Sequence, residues 1–558
     1  MTRGCMILVL SAAGMAQAQQ PAVPNASVTG VVKDKATGQP LPDYTVSTFT
    51  NSTWVGDTIV QSRDTRQVQS KTDASGRYRL ADLAPGQYRI LAGAGMPFSR
   101  TRRVTLAGHD LENVDFEISR PGTITGKVLD ENKEPVPGVT VRLIAREYYL
   151  GNLGYFYRRG PTQTDDRGEY QIAGIEAGRA YLIVAEKVER NLPAISEAPL
   201  DPKLRRRIPV RTWYPNAPSA DGAQAIVVGP GERRENVDLE LKKSQSYCAE
   251  GAALGAAGTA SVRFNIEPLQ PSSGVSNSGG VFTVSPGGNT GPDGKFRVCD
   301  LYPGTYRLTA AEIPAGRQAV PNFGVLDFTI VDQDLKDVKV AASAGITLDG
   351  EVAWAGEPPA TPPNVKVSVS LTPLLRAPFQ GELGRGAGRY DIPGTFSWDG
   401  LLVDDYAVRT LITAPGFYVR DVAYGGRSVI HEPLRLGSAM RGAGLRVTVA
   451  RDGGTISAKV ADKDGNPVSD INVLVLPADA PSEGALSATF VRGATDQLGQ
   501  YTSQTLPPGK YYVVATQDDV DYTPESIGRL WRARNHYQEV ELAPSGAAQV
   551  SLQPGKIE

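Results

Sequence analysis

Residues 72–90 read TDASGRYRLADLAPGQYRI. Asp73 to Gly76 spell a D-x-x-G turn, in which the aspartate side chain bonds the backbone ahead and glycine accepts a positive φ. Tyr78 and Leu80 then share one face of an extended segment, the face expected to be buried. Pro85-Gly86 reads as a second turn, of type II, and Tyr88 and Ile90 open another alternating strand. A Leu-x-Pro-Gly-x-Tyr phrase entering a strand is the pattern of a tyrosine corner, whose hydroxyl bonds nearby backbone in sandwich domains.

The same line returns four times, at 164–180 (TDDRGEYQIAGIEAGRA), 291–308 (GPDGKFRVCDLYPGTYRL), 391–408 (DIPGTFSWDGLLVDDYAV) and 495–513 (TDQLGQYTSQTLPPGKYYV). Its turn glycines are Gly76, Gly168, Gly294, Gly394 and Gly499, each followed two residues later by an aromatic. Twelve residues after the glycine stand Tyr88, Ala180, Tyr306, Tyr406 and Tyr511, with Tyr181 one place late in the second copy. The glycines are 92, 126, 100 and 105 residues apart, a domain-sized period rather than that of a solenoid. Reading outward, a strand precedes each line: VTGVVKD (28–34), ITGKVLD (124–130), SQSYCAEG around Cys248, ITLDGEV (346–352) and ISAKVAD (456–462). A period-two segment follows, and each unit closes with a hairpin-like pair such as RRVTLAGHDLENVDFEIS.

The expectation is an all-β protein, a string of five antiparallel β-sandwich domains of about seven strands each, with no convincing helical period. The boundaries read 19–120, 121–245, 246–344, 345–452 and 453–558, behind a signal peptide at 1–18. In that leader, Arg3 precedes an apolar run from Met6, and Ala16 and Ala18 flank Gln17, which predicts cleavage after Ala18. The run is too short to span a bilayer and no later segment replaces it, so the mature chain is expected to be secreted or periplasmic without a transmembrane anchor. The two cysteines left after cleavage, Cys248 and Cys299, are expected to form a disulfide in an oxidising compartment.

Composition narrows the partners. A net charge of −2 gives no reason to expect nucleic acid, and 41% hydrophobic residues exclude a disordered chain. Brief joins such as SRPGT and ARDGG favour a semi-rigid string over swinging beads. The insertions at 146–161, 186–220, 268–293 and 372–391 differ between copies and are where specific function is expected.

The phrases VTGVVKDKATGQPLPD and TDASGRYRLADLAPGQYRI, with their copies, resemble the carboxypeptidase regulatory-like domain, a transthyretin-like β-sandwich. The resemblance is strong in units one, two and five, fair in three, and weak in four, where Val403-Asp404 replaces Pro-Gly. It implies a non-catalytic domain, found beside metallocarboxypeptidases and in bacterial surface proteins, whose fold group includes carbohydrate-binding modules. Gly76, Tyr88, Gly168, Gly294, Tyr306, Gly499 and Tyr511 are accordingly read as turn and core residues, with no catalytic residue, cofactor or metal expected.

His109-Asp110-Leu111-Glu112 has the spacing of a zinc pair, but GHDLENVDFEI aligns with GERRENVDLEL of unit two, so His109 takes the place of Glu232 in a turn. Asp462-Lys463-Asp464-Gly465-Asn466 suggests a calcium loop but lacks the terminal glutamate and reads as a surface turn. The segment REYYLGNLGYFYRRG (146–160) and RTWYPNAP (211–218) gather Tyr149, Tyr155, Tyr157, Trp213 and Tyr214 beside arginines. Aromatic faces stack on sugars and arginines donate to hydroxyls, so these five are the candidate carbohydrate contacts. The competing expectation is an aromatic hairpin packed on its own or a neighbouring domain. The run KLRRRIPVR (203–211) is expected to be a solvated basic edge. A cell-envelope polysaccharide is the expected partner, with an outer-membrane protein as the alternative.

Overall fold

The architecture was derived from a computed structural model, which describes residues 25–557 apart from short internal stretches, chiefly 61–66, 94–99, 188–194, 256–261, 270–286, 313–321, 375–385 and 438–443. The expected signal peptide at 1–18, Pro85, Arg159 and most of the 268–293 insertion therefore lie outside the described residues.

Period-two patterning produces strands almost throughout, gathered around five separate apolar clusters, one for each copy of the line. Unit one shows the plan. Arg77–Leu83, Ala26–Asp34 and Phe116–Ile118 form a three-stranded sheet. Gln67–Lys71, Thr45–Thr50, Gly86–Ala92 and Arg100–Leu106 form a four-stranded sheet facing it. Val28, Leu80, Ile90 and Phe116 project between the layers and are at most 2% exposed. Units three and five repeat the three-plus-four arrangement, while units two and four enlarge it.

Each unit's closing pair divides between the two sheets rather than forming a hairpin. Arg100–Leu106 runs antiparallel to Gly86–Ala92, whereas Phe116–Ile118 runs parallel to Ala26–Asp34. Both carry apolar residues toward the core (Val104 and Leu106, Phe116 and Ile118), so each must sit on a different layer to bury its face. Units three and five do the same with their final strands.

The repeated line folds as its residue types dictate. Gly76, Gly168, Gly294 and Gly499 adopt φ of 72°, 68°, 75° and 68°. A Cβ on Gly76 would stand 2.6 Å from the Val32 carbonyl oxygen, and one on Gly499 2.4 Å from that of Val460. The Asp73 carboxylate accepts from the Ser75 and Arg77 amides at 2.8 and 2.9 Å, and Asp165 and Asp496 behave alike. The aromatics two residues on are all buried, at 3, 4, 2, 8 and 5% exposure for Tyr78, Tyr170, Phe296, Phe396 and Tyr501.

Four tyrosine corners close. Tyr88, Tyr306, Tyr406 and Tyr511 donate to the carbonyl four residues back (Ala84, Tyr302, Leu402, Pro507) at 2.7, 2.8, 3.1 and 2.6 Å. One expectation changes: Gly304 and Gly509 have φ of 159° and 153°, far from the 80° or so that a type II turn requires. In these units the glycine already belongs to the strand that begins there.

Cys248 and Cys299 are joined, on the neighbouring strands Tyr247–Leu254 and Lys295–Leu301 of unit three. Among the described residues the α-helices lie in unit five, where no convincing helical period was expected from the sequence: α1 (Glu483–Thr489), capped by Ser482, and α2 (Pro524–Ala533), capped by Thr523. Ile527 and Leu530 of α2 pack with Leu486 and Phe490 on the outer face of the unit's four-stranded sheet, against Leu474 and Leu476. The signal was present in Thr523-Pro524 at a helix start and in apolar residues three apart.

Candidate functional site

The aromatic segment of unit two is a long hairpin. Thr140–Tyr149 pairs with Asn152–Tyr157 across a two-residue turn at Leu150 and Gly151, both at positive φ. Alternation then splits the five candidate sugar contacts between faces. Tyr149 lies on the face of Glu147 and Phe156, its ring 6.1 Å from that of Phe156. Tyr155 and Tyr157 lie on the opposite face with Ile144 and Arg146.

Trp213 is not offered as a stacking platform. It is 2% exposed, packed with Ile144, Val184 and Ala217, with the Tyr155 ring 6.3 Å away. Its strand, Thr212–Trp213, extends the sheet beside Ala180–Glu186, and its backbone exchanges two hydrogen bonds with Ala217. An indole covered on this scale contributes packing rather than ligand contact. Tyr214 is half-buried against the core of unit two. The hydroxyl of Tyr155 is engaged by Asp221, and the ring of Tyr157 lies under Arg142 at 5.6 Å.

The basic run 203–211 is a solvated edge only in part: Lys203, Arg206 and Arg207 are exposed, whereas Arg205 and Arg211 are withdrawn from water, and each of the four arginines has a carboxylate. The Arg205 side chain is 2% exposed and makes a fork to Asp334 of unit three at 2.6 and 2.7 Å. Arg206 reaches Asp300 at 3.3 Å, Arg207 reaches Glu131 at 3.2 Å, and Arg211 reaches Glu186 at 2.7 Å. Burial opposes ionisation of Glu186, yet Arg211 and Arg142 together hold its carboxyl below the usual range. Upstream, residues 195–198 lie along unit three, with the Ser196 amide donating to the Arg297 carbonyl at 2.8 Å. The insertion therefore fastens unit two to unit three.

Other joins use the same chemistry. Ile118 and Leu241 end strands parallel to the opening ones, which brings the following Arg120 and Lys243 beside Asp34 and Asp130, at 2.5 and 3.3 Å. Asp404, at the divergent Val-Asp of unit four, takes the buried Arg307 of unit three at 3.2 Å, beside an apolar contact of Leu402 with Ala311 and Phe323. The amide of Gly416 donates to Thr505 of unit five at 3.0 Å. The sequence did not reveal that unit five also returns to the beginning. Arg100 forms a fork with Asp519 at 2.7 and 2.6 Å, Arg102 meets Asp470 at 3.1 Å, and Tyr148 of the hairpin enters the cluster around α1 and α2.

His109 is exposed in its turn, and the carboxylate beside it, Asp110, accepts from the Ser27 amide at 2.7 Å. Asp462 accepts from the amides of Asp464 and Asn466 at 2.9 and 2.8 Å, as Asp34 and Asp130 do in their own turns. Among the described residues no three His, Cys, Asp or Glu side chains gather as metal ligands, and no helix is long and apolar enough to cross a membrane.

No curated protein sequence matches the chain. Among solved structures it is similar to the minor pilin of Streptococcus agalactiae (16% identity, 39% of this chain and 96% of the pilin, TM-score 0.23). It is also similar to the major pilin subunit of Bacillus cereus (10% identity, 78% of this chain and 99% of the pilin, TM-score 0.14). Residues 27–119, the first sandwich with its Asp73–Gly76 turn and Tyr88 corner, match the carboxypeptidase regulatory-like domain.

Proposed function

We propose that the protein is a non-catalytic structural or adhesin-like binding protein that acts outside the cytoplasm through contacts with other proteins. The observation that carries this reading is the use made of its polar residues. The aspartates of the repeated line hold turns, its tyrosines hold corners, and the arginines of the unit-two insertion fasten one sandwich to the next. What such a chain presents is a set of sandwiches in fixed relation, whose loops and edges differ from unit to unit. The Cys248–Cys299 disulfide accords with an oxidising compartment.

Carbohydrate binding is the second reading. Its best support is the half-exposed face where Tyr155 stands opposite the exposed Arg146. One set of measurements separates the two. The purified exported protein is passed over immobilised envelope polysaccharides, cross-linked in cells to its neighbours, and assayed for peptidase activity. Cross-links to an envelope protein without glycan retention support the first reading. Retention abolished by Tyr155→Ala supports the second, and peptidase turnover would overturn both.

A further inference from the structure

In all five sandwiches the final strand runs parallel to the opening one, which leaves its other edge to be covered, blunted or left open. An open edge is a row of free amides and carbonyls, which folded proteins blunt or cover. Four units do so. In units one and two the strand is only three residues long, Phe116–Ile118 and Leu239–Leu241, with Glu117 and Glu240 in the middle. In unit three, Leu335–Ala341 carries exposed Lys336, Asp337 and Lys339, with Asp337 at a φ of 59°. In unit four, Tyr418–Tyr424 lies antiparallel along the outer edge of Leu445–Ala450, from Tyr418 opposite Ala450 to Tyr424 opposite Leu445. Unit five does neither. Its strand Ala547–Leu552, AAQVSL, has six residues, no charge and no proline, and keeps an unbroken register with Thr455–Val460. Among the described residues no strand lies on its other side. The Thr455 amide donates to the Gly546 carbonyl and the Ala461 amide to that of Leu552, both at 3.1 Å. Alternation along this ladder turns the backbone groups of Ala547, Gln549 and Ser551 outward, along about 20 Å of edge. Ala548, Val550 and Leu552 pack on the core of unit five and stay only partly buried.

We infer that Ala547–Leu552 is a self-pairing edge, which takes the same strand of a second copy of this chain, antiparallel across a two-fold axis. The strand is complementary to itself in that arrangement. With Val550 opposite its counterpart, Ala548 meets Leu552 on the apolar face and Gln549 meets Ser551 on the polar face. The outward backbone groups of Gln549 and Ser551 then form the hydrogen-bonded pairs, and Val550 falls at a closely spaced non-bonded pair. No like charges meet, because the strand carries none. Unit four shows within the same chain that this edge of the sandwich accepts an antiparallel neighbour. Unit five meets unit one through Asp470 and Asp519, beside Asn472–Pro477 and Gly509–Thr516 of the other sheet, so the open edge lies on the opposite layer from that contact. Six residues from each copy make a small contact beside the roughly 1,200 Å² or more of stable dimers, so the pair forms reversibly, in the micromolar range or weaker. It is independent of any envelope partner.

Sedimentation of the purified protein over a range of concentrations should show a monomer–dimer equilibrium. Hydrogen exchange at Ala547, Gln549 and Ser551 should slow as the concentration rises, while Ala548 and Val550, which face Thr455–Val460, stay slow throughout. Gln549→Pro removes an amide donor that the monomer does not use. It should weaken the dimer by about tenfold or more while Val550 keeps its slow exchange, which separates loss of pairing from loss of the fold. Gln549→Lys, which sets a charge on the edge, should weaken the dimer as well. Under oxidation Val550→Cys should cross-link to its counterpart, whereas Gln549→Cys, displaced from its own counterpart along the strands, should not. A protein that stays monomeric at every concentration overturns the inference and leaves the edge to a strand of a different protein. A dimer that survives both Gln549→Pro and Gln549→Lys unchanged overturns it too.

Discussion

Arg205→Ala should loosen the joint between units two and three, and its cost can be worked from the geometry. The guanidinium makes two bonds to Asp334 at 2.6 and 2.7 Å, and two more to the Pro199 and Leu200 carbonyls at 2.6 and 2.8 Å. Breaking a buried pair by removing one partner costs about 3–5 kcal/mol, because the remaining charge is stranded. Asp334 keeps the Cys248 amide at 2.9 Å and its side chain is 13% exposed, which places this case at the lower end, about 3 kcal/mol. Denaturant unfolding, followed with probes in both units, measures that cost. Asp334→Asn preserves an acceptor for Cys248, so pairing it with Arg205→Met should recover much of the loss, with a coupling energy of about 2 kcal/mol.

The sign of the pH dependence follows. Hydrogen bonding from Arg205 holds the Asp334 carboxyl below its ordinary value of 3.8. The pair therefore stabilises fully above that value and is lost as the pH falls through the lower, folded-state one. The difference between the native protein and Arg205→Ala should thus persist at neutral pH and shrink below about pH 4. A cost under about 1 kcal/mol, or strictly additive single variants, would refute the assignment of Arg205 as the fastening residue.

Reducing the Cys248–Cys299 disulfide should destabilise unit three by roughly 4 kcal/mol, given its 51-residue separation; thermal unfolding with and without reductant tests it. Gly499→Ala should cost about 2 kcal/mol or more in unit five, since φ is 68° and the new methyl would meet the Val460 carbonyl; equilibrium unfolding would show it. Trp213→Ala should cost about 3–5 kcal/mol in unit two through the cavity left beside Ile144 and Val184. If instead it spares stability and abolishes glycan retention, the indole is a ligand contact after all.

The repeated line was legible because its constraints are local. An aspartate bonding amides two and four residues ahead, a glycine at positive φ and a tyrosine reaching back four residues are decided within one short segment. Period two told which residues fill the cores, and the sandwich followed. Cys248 and Cys299 could be paired because the third cysteine, Cys5, falls in the expected leader and leaves no other partner. The candidate sugar site was less legible: counting aromatics along the chain did not reveal that alternation sends Tyr149 and Tyr155 to opposite faces. Nor did it show that a strand addition buries Trp213.

What only the tertiary structure decided is how the sandwiches hold one another. Arg205 finds Asp334 across 129 positions and Arg100 finds Asp519 across 419, and no sequence period links either pair. Nothing in KLRRRIPVR distinguishes a solvated edge from a fastening, because a guanidinium's fate depends on which carboxylate the fold brings within reach. The sequence by itself determined five sandwiches, their turns, corners and cores, since those rest on backbone preference and the burial of nearby side chains. The fastening of unit to unit, and the return of the fifth to the first two, depend on surfaces that exist only after each unit has folded.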